Sequence, residues 1–526
     1  MRWLPNEPLA VCERAVALGV FDGVHIGHRA VITAACGVRA DENSPSLLTS
    51  CVLSLTNVPK NGQRLTDNDE TPRATLGVDE WLSLPFDAVC EMAPEQFVHD
   101  VLHERLHAKL VCCGYNYRFG KGGVGNADTL VALCEPLGIK VQVVPSVTVD
   151  GEPVSTTRIR AALAKGDMPL VMRLLGRPFT VCRPVTRGNR VGRTLGFPTI
   201  NQVLEHAVAL PRSGVYASLV TIDQQQHFAV TNIGTHPTVG NSAQPQAETF
   251  IENFDGDLYG EMVTVELIRH LRDERRFDSV EALKAQIDRD REAAVALLSG
   301  KAQPSRAVLF DFDDTLQDRT VAFCNAVRDM MQRHFPTLSE DERETRTQQM
   351  WKENNGGYVV YTDYFERFFR LWDWGSGTSP QSLKDEFVSR FPLYSSVFEH
   401  SAHVLNTLRE RGFAVGVITN GQRVMQHRKL DVSGLRPLCD ITVVSGDEGV
   451  HKPNPELFRR AAARLCVAPS NCVYVGDHPV NDIAGALAAE MKAVFMDTAW
   501  WSKNNPPSEV PIIHAPEGIL PLFKKG

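Results

Sequence analysis

Leu309-Phe-Asp-Phe-Asp-Asp-Thr315 is an apolar run that opens into three carboxylates, Asp311, Asp313 and Asp314. Open α/β sheets bind their ligands beyond the carboxyl ends of the strands, and an apolar segment breaking into clustered acids fits such a strand end. Working outward, short apolar runs at 414–419, 441–445, 472–476 and 493–496 have strand length and turn-forming flanks. Residues 320–410 lack strand patterns and read as helical, an insertion between the first two strands. A Rossmann-like domain with a helical cap is therefore expected over 306–526.

Upstream, Ser299-Gly-Lys-Ala-Gln-Pro-Ser305 is a polar stretch with Gly and Pro, the composition of a linker. Before it, strand-like runs at 215–222, 228–233 and 262–268 alternate with Gly, Pro and Asn turns, and a helical pattern follows at 279–298. This texture predicts a small antiparallel β-barrel domain over 176–298. Residues 1–175 alternate buried-strand patterns (15–20, 108–113, 140–145) with helical ones such as 94–106, which predicts a doubly wound parallel sheet. The chain as a whole reads as a multidomain α/β protein.

Composition narrows the function classes. At 526 residues the chain exceeds what one core organises. A net charge of −8 gives no basic field to draw nucleic acid or anionic lipid. No apolar run approaches membrane-spanning length, and the first residues lack a signal-peptide pattern. Twelve scattered cysteines without a Cys-x-x-Cys pair indicate neither zinc nor a disulfide framework. Adjacent Cys112 and Cys113 are expected to pack as small buried hydrophobes. A cytoplasmic enzyme of small molecules is the expectation, with assembly into a homo-oligomer left open.

Three places carry chemistry. In the C-terminal part, Asp311 can attack phosphorus to form an aspartyl-phosphate, while Asp313 protonates the leaving oxygen and later activates water. Clustered anions need a cation. Mg²⁺ is expected on Asp311 and Asp313, with Asp477 of Gly476-Asp-His-Pro-Val-Asn-Asp482 completing the oxygen shell. Thr419 and Asn420 at a strand end, with Lys452 of His451-Lys-Pro, would hold the phosphoryl group.

Near the N-terminus, a strand ending at Gly19 leads through Asp22 and Gly23 into His25-x-Gly27-His28. Glycines let backbone approach a polyphosphate, a helix N-terminus favours its charge, and two imidazoles one turn apart can donate to its oxygens. In the middle, Gly188-Asn-Arg-Val-Gly192-Arg193 is a flexible cationic loop before Gly196-Phe-Pro-Thr-Ile-Asn201. Thr199 and Asn201 can give neutral oxygens to a Mg²⁺ carrying ATP phosphates, although the same residues also cap turns.

Gly19-Val-Phe-Asp-Gly-Val-His-Ile-Gly-His28 resembles the Gly-x-Phe-Asp-Gly-x-His-x-Gly-His signature of the adenylyltransferase module in bifunctional riboflavin kinase/FAD synthetases. Gly114-Tyr-Asn-Tyr-Arg-Phe-Gly120 and Ser155-Thr-Thr-Arg-Ile-Arg160 are further matches. The resemblance implies that His25, His28, Asn116, Ser155, Thr156 and Arg158 hold the ATP phosphates and assist attack by FMN, with Gly19, Asp22 and Gly27 in the nucleotide loop. The family's Pro-His-Pro turn corresponds here to Thr56-Asn-Val-Pro-Lys60, without the histidine. That departure implies slowed adenylylation rather than lost nucleotide binding. It leaves open a rival in which this module is a non-catalytic nucleotide or flavin sensor.

The stretch 176–298 resembles the riboflavin kinase module through Asn232-Ile-Gly-Thr-His-Pro-Thr238, Glu248-Thr-Phe and Phe254-Asp-Gly-Asp-Leu-Tyr-Gly260. By this resemblance Glu248 is the general base for the ribityl hydroxyl, Gly188, Gly192, Thr199 and Asn201 hold Mg-ATP, and the isoalloxazine lies near Arg272. From 305 onward the motif order resembles the haloacid dehalogenase-like phosphatases. Together these imply riboflavin, FMN, FAD and ATP as substrates and products, Mg²⁺ as cofactor, and a fused phosphatase. FMN and the phosphorylated ribitylaminopyrimidine of riboflavin synthesis are its candidate substrates, with a general sugar- or nucleotide-phosphatase as a third option. The aromatic stretch 356–374 could stack a planar ring, but such a stripe more often packs as cap core.

Overall fold

Past Arg14, strand β1 (Arg14–Gly19) is apolar without alternation because both its faces are covered. It pairs in parallel with β2 (Thr49–Thr56) and β4 (Ala108–Gly114), flanked by β3 (Glu80–Pro85) and β5 (Lys140–Val144), in the order β3-β2-β1-β4-β5. The structure is a computed structural model that describes residues 9–38, 47–56, 58, 64–65, 75–188, 196–205, 208–237, 243–300, 306–357, 359–498 and 507–523. The strand order reverses between β1 and β4, so a crevice opens at their carboxyl ends. The expected helix at 94–106 begins with one α turn, Pro94–Gln96, and continues as a π-helix over Phe97–Arg105. A hairpin of β6 (Thr148–Val149) and β7 (Glu152–Pro153) leads into the helix Thr156–Lys165.

The next six strands form one antiparallel sheet: β8 (Phe179–Pro184), β9 (Thr199–Val203), β10 (Gly214–Ile222), β11 (Gln225–Pro237), β12 (Ala243–Ile251) and β13 (Met262–Arg272). Their order is β8-β13-β10-β11-β12-β9. Among the described residues the two edges meet through one Thr186–Asn201 bridge, which curls the sheet into the expected barrel. Gln202 holds the seam: its buried amide donates to Arg183 O at 2.8 Å and Val263 O at 2.7 Å. The helix Val280–Leu298, capped by Ser279, packs on the outside.

The last sheet is parallel, β14 (Ala307–Phe310), β15 (Ala414–Thr419), β16 (Ile441–Val444), β17 (Cys472–Gly476), β18 (Lys492–Met496) and β19 (Ile512–Ile513), ordered β16-β15-β14-β17-β18-β19. Its reversal lies between β14 and β17. Helices Arg319–His334, Glu340–Glu353, Tyr361–Leu371 and Pro380–Arg390 form the inserted cap. Tyr364, Phe365, Phe368 and Trp374 are buried there with Phe323 and Phe387, so the aromatic stretch is cap core.

These parts touch one another. The helix Arg423–Val432 lies against the helix Ile26–Ala34, and Asp431 accepts from Arg29 at 3.2 Å and from Arg436 at 2.5 Å, with all three side chains buried. Arg428 donates to the carbonyls of Leu76 and Gly77. On another side Arg464 pairs with Glu266 of β13 at 3.0 Å. All twelve cysteines are unpaired, and Cys112 and Cys113 are fully buried as expected. Among the described residues no helix is long and apolar enough to cross a membrane.

Candidate active sites

After β1 the backbone turns through Phe21, Gly23 and Val24, all at positive φ, and delivers His25 as the N-cap of Ile26–Ala34. His25 Nδ1 accepts from the His28 amide at 3.2 Å, and the two rings stack with centroids 3.6 Å apart. Burial lowers His25 to about 4 and pushes His28 well below its usual range, so both are neutral imidazoles. With Nδ1 of His25 used as an acceptor, its Nε2–H is the donor left for a phosphate. Gly27 lies against the His25 ring and near the Val154 carbonyl, which brings the first motif beside Ser155 and Thr156. Ser155 caps its own helix by accepting from Arg158 N at 3.2 Å.

The two arginines of that motif divide differently from expectation. Arg158 is held by the β6–β7 hairpin, donating to Val149 O and Glu152 O and pairing with the Glu152 carboxylate. Arg160 instead reaches Asp22 at 2.8 Å, and Asp22 also accepts from Leu65 N at 2.6 Å, which fixes the loop. Asn116 is exposed just beyond β4, next to Gly114, across the crevice from Gly19. Of the turn that lacks histidine, Asn57, Pro59 and Lys60 lie outside the described residues.

In the barrel, the ladders place Glu248 directly opposite Asn201 on one side and Asn232 on the other. Thr199 is two residues from Asn201 on the same strand, so it shares that face. Gly188 sits against the Asn201 amide, where a Cβ would come within 2.5 Å. Asn201 is buried and its Oδ1 has no hydrogen-bond partner. An orphaned acceptor oxygen beside a hydroxyl and a carboxylate suits a hard cation. Gly192 lies outside the described residues. Arg272 is partly exposed, and Asp290 of the outer helix holds its guanidinium at 2.6–3.1 Å.

In the third site Asp311 and Asp477 follow β14 and β17 at the reversal, with Asp482 beside them. Ligand oxygens of the three carboxylates lie within 4.8 Å of one another. Lys452 Nζ donates to Asp311 at 2.5 Å and Asp482 at 2.6 Å. Burial raises Asp311 to about 7 despite Lys452, with Asp482 adding to the rise, and burial holds Asp477 well above its usual range. Such mutual repulsion is what a bound divalent cation relieves, so this donor set fits Mg²⁺.

Two expectations change here. The Asp313 carboxylate is not in the cation cluster, because Lys429 holds it at 2.5 and 2.7 Å with Gln426 and Gln317 at 2.9 Å each. Burial pushes Asp313 up, but the charges of Lys429 and Arg319 outweigh it and the carboxyl is net lowered. Asn420 lines the pocket, but its side-chain amide is engaged by backbone: it donates to Lys452 O at 3.0 Å and accepts from Lys452 N at 2.8 Å, which positions that lysine. Thr419 Oγ1 accepts from Gln426 at 2.5 Å. Asp482, Gln426, Lys429 and Arg160 were not singled out from sequence. Asp482 and Arg160 had a signal, as the last residues of quoted motifs, whereas Gln426 and Lys429 had none.

Three family models match in succession: FAD synthetase over 9–158, riboflavin kinase over 175–298, and haloacid dehalogenase-like hydrolase over 308–496. The bifunctional riboflavin kinase/FMN adenylyltransferase of Pseudomonas fluorescens is 36% identical over 297 residues, 54% of this chain and 93% of that one. The protein of the same description from Escherichia coli K12 is 35% identical over 294 residues, 55% of this chain and 93% of its own length.

Proposed function

Because this chain belongs to the bifunctional riboflavin kinase/FMN adenylyltransferase family and carries a haloacid dehalogenase-like hydrolase domain beyond it, we propose that its three sites work on flavins and on one phosphate ester. The kinase domain converts riboflavin and ATP to FMN and ADP, and the FAD synthetase domain joins FMN to AMP from ATP with release of pyrophosphate. The hydrolase domain removes phosphate from a monoester.

The observation that carries the kinase assignment is the cross-strand row Asn201–Glu248–Asn232 with its unpartnered amide oxygen. Glu248 takes the proton from the ribityl hydroxyl, while Thr199 and Asn201 would hold Mg²⁺. The cation neutralises developing phosphate charge. In the FAD synthetase crevice His25 and His28, both neutral, donate to the ATP phosphates, with Asn116, Ser155 and Thr156 closing around them. Arg158 and Arg160 act by fixing the hairpin and the Asp22 loop.

In the hydrolase Asp311 attacks phosphorus, Lys452 steadies both nucleophile and phosphoryl oxygens, and Asp313 exchanges the proton with the leaving oxygen. Asp311, Asp477 and Asp482 would hold Mg²⁺, which supplies charge neutralisation. FMN and the ribitylaminopyrimidine phosphate rest on the fusion to flavin-making domains and on a ring-stacking aromatic stretch. The described rings of that stretch are occupied in the cap core, so we restrict the substrate to a phosphomonoester.

Quantifying riboflavin, FMN, FAD and free phosphate during turnover tests the whole assignment. Given riboflavin, ATP and a phosphomonoester, wild type should form FMN, FAD and free phosphate. Asp311→Asn should lower phosphate release by at least about 1,000-fold with FMN synthesis intact, and Glu248→Gln should lower FMN formation on the order of 100-fold or more. FMN without FAD would favour the sensor reading suggested by the missing histidine.

A further inference from the structure

Arg319 has no role in the chemistry assigned above, yet it lines the ≈340 Å³ hydrolase pocket together with Gly356 and Gly357. It is the first residue of the helix Arg319–His334 and only 5% exposed. Its Nη2 donates to Asn354 Oδ1 at 2.8 Å, the Tyr361 phenol lies beside it, and the Phe323 and Phe391 rings sit 6.0 Å away. Among the described residues no carboxylate pairs with the guanidinium. The neutral Tyr361 phenol meets both the guanidinium and the fully buried Asn354 amide, but at hydrogen-bond geometry Nη1 finds no partner among the described residues.

Burying a guanidinium without a directly paired anion, with a donor left idle, is costly. The chain nevertheless shapes itself to keep this group. Gly357, at φ +91°, leaves the room: a Cβ there would stand 2.4 Å from Nη2. Gly356 beside it is also left-handed, at φ 63°.

The position says which part of a substrate would meet these donors. The phosphoryl group is taken at Asp311, where Lys452 waits. Asp313 must reach the ester oxygen, so what extends past Asp313 is the leaving group. Arg319 lines the pocket together with Asp313 and Asp314, and its amide donates to Asp314 Oδ1 at 3.2 Å, which places it on that side. A neutral carbonyl would satisfy one N–H, but an oxyanion also balances the charge and matches the fork of a guanidinium.

We propose that Arg319, oriented by Asn354 and backed by the Gly356-Gly357 turn, forms a second oxyanion subsite, so the hydrolase prefers a phosphomonoester whose leaving group bears a carboxylate or another phosphate. This rests on the phosphatase reading of Asp311 and Asp313. The test compares three esters with Mg²⁺ and the full-length chain: propyl phosphate, 3-phosphonooxypropanoate and propane-1,3-diyl bisphosphate. Wild type should favour at least one of the last two over propyl phosphate on the order of 10- to 100-fold in kcat/KM, chiefly through KM. The better of the two identifies the oxyanion.

Arg319→Gln should collapse that ratio to within about twofold, and Arg319→Lys should restore part of it. Gly357→Ala, which leaves Arg319 in place but crowds Nη2, should reduce the ratio independently. Riboflavin phosphorylation by the same preparations reports folding. Equal turnover of the three esters by wild type would overturn the subsite, as would an equal loss on all three in Arg319→Gln. Failure of wild type to hydrolyse any of them would instead sink the phosphatase reading, and the subsite with it.

Discussion

At the residue scale, the carboxylates around the hydrolase nucleophile are set by what surrounds them. Asp311, raised to about 7 by burial, keeps a proton in the fold that it would lose in the unfolded chain near its ordinary value. The folded state therefore binds more protons between about pH 4 and pH 7, and stability falls as pH rises through that window. A cation needs the deprotonated form and opposes the loss. The thermal shift caused by Mg²⁺ should thus be larger at pH 7.5 than at pH 5.5, read by differential scanning fluorimetry, and nearly vanish in Asp477→Asn. The acids themselves were legible, because each ends a strand and lies in a short motif. Their partners were not: Lys429 is 116 residues from Asp313, and nothing in the sequence near either points to the other.

At the scale of elements, strand runs and the cap were readable because apolar segments and turn residues agree locally. What pattern cannot supply is register. Glu248, Asn201 and Asn232 were visible as separate motifs, but their alignment into one row belongs to the ladders of β9, β12 and β11. Barrel closure is similar, resting on one bridge and the Gln202 side chain. Gln202→Leu would leave the Arg183 and Val263 carbonyls without that donor. A loss of about 1–3 kcal/mol is expected in urea unfolding followed by riboflavin kinase activity. The helix Arg423–Val432 misleads any periodicity argument. Met425 to Leu430 are all buried although four of the six are polar or charged, because both sides of the helix face protein.

At the scale of the molecule, that helix joins two chemistries. Gln426 and Lys429 hold Asp313, while Arg428 and Asp431 reach the FAD synthetase domain. Sequence analysis placed the parts side by side and could not foresee this, since the contacts couple residues some 400 positions apart, as Arg29 and Asp431 are. Asp431→Leu would leave the buried guanidinia of Arg29 and Arg436 facing each other without their anion. The expected cost is about 3–5 kcal/mol, seen as a lower melting temperature with FAD formation and phosphate release declining together. Loss of phosphate release alone would mean the two parts are energetically separate.

The Arg29–Asp431 and Arg464–Glu266 pairs also mean that covalent continuity is not what keeps the hydrolase attached. A specific protease site inserted at 301–305 should give two fragments that still co-elute on size exclusion and part only in denaturant. A gene truncated to the C-terminal stretch should yield a product that is poorly soluble and catalytically slack, its acid–base aspartate having lost the scaffold behind it.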